Sequence, residues 1–304
     1  MGDALLITGG SGLLALNWAV ALRDRTIVTL ALYDRPVSMT GASTRHACLD
    51  SVDDVTRLLD ATHPQIVVHT AGLASVEQCE SDESLARYVN VTLAANVAEG
   101  CARSGVRLVH ISTDHLFRGD EALVEEDRLP APLNAYGRTK AEAERRVLDA
   151  CPDAVVVRTN FYAWGPRHRR SFSDTIIDAL RAGEPISLFN DVFYTPVLAD
   201  VLSRSVHDLV DMGATGVVHV SGDDRLSKYD FGLRLARRFG LDSGLIRPGR
   251  LADRPGLVRR PLDMSLSNAL ARRLLGRVIG GVDEHLDRLY AQEQLGLAQE
   301  VQDS

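Results

Sequence analysis

The sequence predicts an α/β protein built on a doubly wound parallel sheet, with a smaller, discontinuous α/β region toward the C-terminus. Three observations carry this expectation. At Ala4 to Leu22 an apolar run breaks at a glycine-rich turn and passes straight into a helix. Short apolar runs then alternate with helical stretches as far as Val157, the pattern of βαβ units. After Arg158 the texture changes to aromatics, turn residues and a basic cluster, Arg167-His168-Arg169-Arg170.

Ala4-Leu5-Leu6-Ile7 reads as the first strand, Thr8-Gly9-Gly10-Ser11-Gly12 as a tight turn, and Leu13 to Leu22 as a helix closed by Arg23-Asp24. Glycines at such a turn let the backbone approach a pyrophosphate, and the unpaired N–H groups of the helix then face the anion. Ala15 stands where a third glycine would pack helix against strand. Strand, turn and helix in this order are the dinucleotide-binding start of a Rossmann fold. Ile27 to Leu32 is a second strand, ending at Tyr33-Asp34-Arg35, where such a fold selects its adenosine ribose. Asp34 suits the two ribose hydroxyls of NAD, whereas Arg35 suits the 2′-phosphate of NADP. Solvated loop charges are the third reading, and the sequence does not separate the three. Asp50, after Ala47-Cys48-Leu49, suits either the adenine edge or a helix N-cap.

Val55 to Leu59 is helical, and Gln65 to His69 is a buried strand running into Thr70-Ala71-Gly72, whose small residues let a cofactor lie against the backbone. Leu85 to Ala102 has helical periodicity with Asn90 and Asn96 inside it. Asn90 is a packing or capping amide, or one that holds active-site backbone open. The strand Leu108 to Ile111 is followed by Ser112-Thr113-Asp114-His115, beyond the carboxyl end where ligands sit in a parallel sheet. In the next helix, Tyr136 to Leu148, Tyr136 and Lys140 share one face. A fixed positive charge beside a phenol lowers its ordinary pKa of about 10 and fits it for proton exchange with a carbonyl or alcohol. Ala154 to Val157 is a strand, Val217 to Val220 returns to the sheet, Lys228 to Phe239 is a helix, and Arg259-Arg260-Pro261-Leu262-Asp263 precedes a mostly helical C-terminus. Residues 1–160 with roughly 186–222 are thus expected to form the dinucleotide domain, and 161–185 with 223–304 the substrate-binding region.

The 304 residues, 45% hydrophobic and 25% charged, suit a globular protein with a substantial core. The net charge of −7 is spread along the chain, which argues against a nucleic-acid binder. No apolar run reaches the roughly eighteen residues of a membrane span, and Met1-Gly2-Asp3 leads directly into a strand, so a cytoplasmic protein with no membrane partner is expected. Cys48, Cys79, Cys101 and Cys151 are widely spaced, without a CxxC pair or a nearby histidine, and are expected to be free thiols with no metal site. The polar tail Gln299 to Ser304 is expected to be disordered.

With Thr8-Gly9-Gly10-Ser11-Gly12, Ser112-Thr113-Asp114 and Tyr136-x-x-x-Lys140 in order, the chain resembles the extended short-chain dehydrogenase/reductases. Ser112 to Gly119, Arg158 to Tyr162 and Arg260 to Leu266 make it similar to the dTDP-4-dehydrorhamnose reductase family over nearly its whole length. The resemblance implies reduction, by NADPH or NADH, of the C4 keto group of a nucleotide-linked 4-keto-6-deoxysugar, dTDP-linked in that family. Tyr136 then donates the proton, Lys140 lowers its pKa and binds the nicotinamide ribose, and Thr113 hydrogen-bonds the carbonyl. Aligning Leu116-Phe117 with the Val-Tyr found elsewhere in the superfamily selects Thr113 over Ser112. The implied cofactor contacts are Gly9, Ser11, Gly12, Leu13, Asp34, Arg35, Asp50, Ala71, Gly72 and Asn90, with Tyr136 and Lys140. Those to substrate are Ser75, Asp114, His115, Asn160, Phe161, Trp164 and Arg260, the last through a planar fork suited to a diphosphate. Phe193-Tyr194-Thr195-Pro196 lies where the family closes its site with a loop. Sugar-nucleotide dehydratases resemble the chain too, but they need an Asp-Glu pair where it has Asp114-His115. An epimerase remains open, as does a non-catalytic NAD(P)-binding regulatory subunit, which need not keep Thr113, Tyr136 and Lys140 together. Members of the superfamily are often homodimers.

Overall fold

The computed structural model describes residues 4–304. Seven parallel strands, β1 (Ala4–Thr8), β2 (Ile27–Leu32), β3 (Ala42–His46), β4 (Ile66–His69), β5 (Arg107–Ile111), β6 (Val155–Arg158) and β7 (Gly216–His219), form one sheet in the order β3-β2-β1-β4-β5-β6-β7. β4 and β6 are buried along their whole length, as apolar strands covered on both faces must be. Side chains alternate between two cores. Leu5, Ile7, Val68, Val109, Val155 and Val157 meet α1 (Leu13–Leu22) and helix Ala199–Asp211, whereas Leu6, Val67, Leu108 and Val156 meet α2 (Val52–Thr62) and helices Leu93–Ser104 and Ala135–Ala150. α1 is apolar nearly all round because sheet and helices enclose it, and the indole of its fully buried Trp18 donates to His207 Nε2 at 3.0 Å.

Two expectations are corrected, the unbroken helix from Leu85 and the disordered tail. β3 is an exposed edge strand that carries no apolar pattern. The helix expected from Leu85 to Ala102 is a run of Glu83–Arg87, a π-helical turn Tyr88–Thr92 and Leu93–Ser104; such turns insert one residue and recur at functional sites. Ile186–Phe189 pairs with Ile246–Gly249 in a separate two-stranded sheet, and the chain rejoins the main sheet at β7. The tail is ordered: Leu297–Asp303 is a helix that buries Val301, while Glu300 pairs with Arg23 and Asp303 with Arg167.

An ion pair joins the end of β6 to helix Ala135–Ala150. Arg158 and Glu144, 3% and 4% exposed, meet through Nη2–Oε2 at 2.8 Å and Nε–Oε1 at 3.0 Å, and Ser112 donates to the same carboxylate. Removing one partner of such a pair strands the other charge in the interior. Glu144→Gln is therefore expected to lower stability by about 3–5 kcal/mol, read as a reduced denaturation midpoint at unchanged denaturant slope; an unchanged midpoint would show that Arg158 finds another partner.

Candidate active site

A cleft of about 450 Å³ opens at the carboxyl ends of β1, β4, β5 and β6, with Phe172 of the second region as part of its wall. At one end stands the glycine turn. Gly9 has φ 70°, and a Cβ there would lie 2.7 Å from Ala71 Cα, so only glycine fits between the two strand ends. Gly12 is the N-cap of α1 and offers no side-chain acceptor; Gly12, Leu13 and Leu14 line the cleft and leave the helix's first N–H groups for an anion. Ala15 is fully buried, its methyl taken up by the core. Ala71 and Gly72 line the cleft opposite, and a Cβ on Gly72 would stand 3.3 Å from Asn90 Oδ1. Asn90, carried by the π-helical turn, accepts from Leu73 N at 2.7 Å and donates to Leu73 O at 3.1 Å and Thr139 Oγ1 at 3.0 Å. That amide holds open the backbone after β4. These residues leave open backbone and unpaired helix N–H groups at this end of the cleft.

A polar column runs beneath the cleft. Thr8 Oγ1 meets His69 Nδ1 at 2.7 Å, His69 stacks on His110 with ring centroids 5.4 Å apart, and His110 Nε2 lies 3.4 Å from Lys140 Nζ. Lys140 Nζ donates to the Ile111 carbonyl at 2.7 Å. Burial lowers the Lys140 ammonium to about 8 and, aided by that cation, lowers His69 to about 3; His110 shifts the same way for the same reasons. Both rings are therefore neutral beside a charged lysine.

Tyr136 departs from expectation. Burial pushes its phenol up to about 12, and the hydrogen bond with Thr113 only partly opposes this. The lowering expected from Lys140 is absent because Nζ is turned to the Ile111 carbonyl and His110. Thr113 Oγ1 donates to Asp114 Oδ1 at 3.3 Å and accepts from His115 N at 3.2 Å, whereas the Ser112 hydroxyl is turned away to Glu144. Asn160 donates to Asp114 Oδ2. The His115 ring stands edge-on to Tyr136, centroids 5.5 Å apart, and burial lowers its pKa. Phe161 also lines the cleft.

Other expected residues lie elsewhere. Trp164 is a core residue, 2% exposed, whose indole donates to Leu289 O at 3.2 Å. Ser75 caps helix Val76–Ser81 by accepting from Gln78 N. Asp50 is exposed and accepts from Tyr88 and Cys48. Arg260 affects His115 electrostatically, but its guanidinium pairs with Glu77, so a diphosphate would have to displace a carboxylate. Asp34 and Arg35 are exposed after β2, and the charge of Arg35 helps to lower the pKa of His168, after burial. The basic cluster Arg167 to Arg170 reads in the sequence as a diphosphate clamp or a solvated loop, and no role is read there for Phe172 or the Lys228 side chain. Arg169 lines the cleft, while its neighbours Arg167 and Arg170 pair with Asp303 and Asp178. Phe172 follows Ser171 in a capping box. Lys228 follows Ser227 in another, and Ser-x-x-Asp is the signal legible in both.

Residues 3–295 match the family described as the RmlD substrate binding domain. The chain belongs to that family. It is 31% identical to a dTDP-4-keto-6-deoxy-D-glucose reductase of Streptomyces niveus, over 82% of the chain and 83% of that protein. It is 29% identical to the methionine adenosyltransferase 2 subunit beta of Xenopus laevis, over 86% of the chain and 79% of that protein. Its fold is that of a dTDP-4-dehydrorhamnose reductase from Bacillus anthracis, crystallised in complex with NADP, with a TM-score of 0.84 at 24% identity over 96% of this chain and 100% of the other.

The position of Arg35 directly after β2 leads to a cofactor prediction. Arg35→Ala should weaken NADPH binding about tenfold or more and leave NADH within about twofold, measured by fluorescence titration. Equal changes for both cofactors would assign Arg35 to a solvated loop.

Proposed function

We propose that this chain is an NAD(P)H-dependent oxidoreductase that reduces the C4 keto group of a dTDP-linked 4-keto-6-deoxysugar. The observation that carries it is the Tyr136 phenol and the Thr113 hydroxyl lining one cleft whose other end is the glycine turn, with Lys140 docked beneath. When bound, a reduced nicotinamide dinucleotide supplies the hydride, held by the turn at Gly9 to Gly12, the first N–H groups of α1, and Lys140. Thr113 and Tyr136 hold the carbonyl oxygen. As negative charge develops on that oxygen, Tyr136 donates its proton. A phenol near 12 stays protonated through the neutral range, yet is a stronger acid than the sugar alcohol it creates. Lys140, about 8, carries its charge at neutral pH, set on the Ile111 carbonyl at the cleft floor.

Asp114 has no glutamate beside it, and His115 is held neutral by burial, so the acid-base pair that water elimination needs is missing. The likeness to a methionine adenosyltransferase subunit keeps a regulatory binder as the second reading. Retention of Thr113, Tyr136 and Lys140 in one cleft favours the enzyme. We assign it to the cytoplasm, a reading compatible with free cysteines of which Cys79, Cys101 and Cys151 are buried.

Purified protein mixed with NADPH or NADH and a dTDP-4-keto-6-deoxyhexose should consume the reduced nicotinamide, followed by its absorbance. Tyr136→Phe should lower kcat by about a hundredfold or more while cofactor affinity stays within about twofold. Tight cofactor binding without oxidation by any 4-keto sugar nucleotide would favour the regulatory reading.

A further inference from the structure

Lys228 breaks a local rule. It is the first residue of helix Lys228–Phe239, directly after the N-cap Ser227, where the helix dipole disfavours a cation. Two contacts hold it there. Its N–H donates to Val192 O at 3.1 Å, and Leu226–Ser227 pairs antiparallel with Phe193–Tyr194. The ammonium lies over two rings, 3.3 Å from the centroid of Tyr194 and 4.8 Å from that of Phe172. Phe172 and Asp114 both line the cleft, and Asp114 is the anion that favours the charged form of Lys228. Burial opposes that charge and brings the ammonium down to about 7. Among the described residues, Nζ donates no hydrogen bond, and the side chain is only half-buried. A cation held against a helix dipole, between two rings, with its donors unspent, is poorly explained by stability alone.

The neighbours narrow what those donors serve. Asp114 uses one oxygen for Thr113 and the other for Asn160, and each retains a lone pair. Asp114 therefore presents an acceptor and Lys228 a donor. An anionic group would be repelled by Asp114, whereas a hydroxyl satisfies both. Thr113 Oγ1 and Asp114 Oδ1 are 3.3 Å apart, comparable to the spacing of oxygens on adjacent carbons of a pyranose. If Thr113 and Tyr136 hold the carbonyl oxygen, Asp114 and Lys228 face the oxygen on the next carbon.

We propose that Lys228 is a specificity-determining residue: its Nζ donates to, and Asp114 accepts from, the sugar hydroxyl on the carbon adjacent to the reacting carbonyl. This rests on the 4-ketoreductase reading above and names the substrate class as sugars that keep this hydroxyl. The rings of Tyr194 and Phe172 hold Nζ in position for that hydrogen bond.

The test compares dTDP-4-keto-6-deoxyglucose with its 3-deoxy counterpart in the full-length protein. Wild type should favour the hydroxylated substrate about ten- to a hundredfold in kcat/KM. Lys228→Met should lose most of that preference through a raised KM for the hydroxylated substrate, with the 3-deoxy substrate within about threefold of wild type. Lys228→Arg should recover part of it. Calorimetric titration of the two reduced dTDP-sugars should show the same loss of discrimination without turnover. Should Lys228→Met fail to melt cooperatively, Lys228→Gln carries the test with the same expected loss. A folded variant that keeps the wild-type preference, or that weakens both substrates equally, overturns the assignment of Lys228 and leaves the reductase reading intact. Wild type that turns over neither substrate refutes the reductase reading itself, and the Lys228 assignment falls with it.

Discussion

At the carboxyl end of β5 the Lys140 ammonium is taken out of water and set on the carbonyl of Ile111. Burying that charge requires compensation, and much of the surrounding site supplies it. His110 and His69 remain neutral, so the column from Lys140 to Thr8 joins β5, β4 and β1 without a second cation. Glu144, one turn further along the same helix, favours the lysine's charged form, and Arg158 and Ser112 in turn hold Glu144. The strand ends that form the floor of the cleft are thereby tied to the helix that carries Tyr136. Loss of one charge would be felt along this chain of contacts, since no buried member can turn to water.

The same burial sets the protonation of Tyr136. A low dielectric around a phenol opposes its ionised form, and the group is kept as an acid. For proton donation to a developing alkoxide this is the competent form. The reverse reaction, starting from a phenolate, has to overcome that burial.

Much of this was legible in the sequence, and the gaps have physical causes. Leu5 to Ile7, Ile66 to Val68 and Val155 to Val157 are strands buried on both faces, which concentrates apolar residues into short runs. β3 lies at an exposed edge, and Ser43, Thr44 and Arg45 need no such run. The glycine turn and the Tyr136–Lys140 spacing are local and could be read directly. The direction in which Lys140 Nζ points depends on the Ile111 carbonyl, which spacing within a helix does not reveal. Phe172 reaches the cleft from the second region and Lys228 lies over its ring, so only tertiary structure brings them near Asp114. Trp164 was grouped with Phe161 as an aromatic near the sheet end, but the chain turns between them and buries the indole against Leu289.

The central claim is that a hydride passes to the sugar carbon whose oxygen Tyr136 protonates. The most direct measurement is mass spectrometry of the dTDP-sugar formed from a 4-keto substrate with a reduced nicotinamide carrying deuterium at its transferable position. One deuterium at sugar C4, formed in step with oxidised cofactor, is the predicted result. Unlabelled sugar with no net cofactor oxidation, as an epimerase or a regulatory binder would give, contradicts the account.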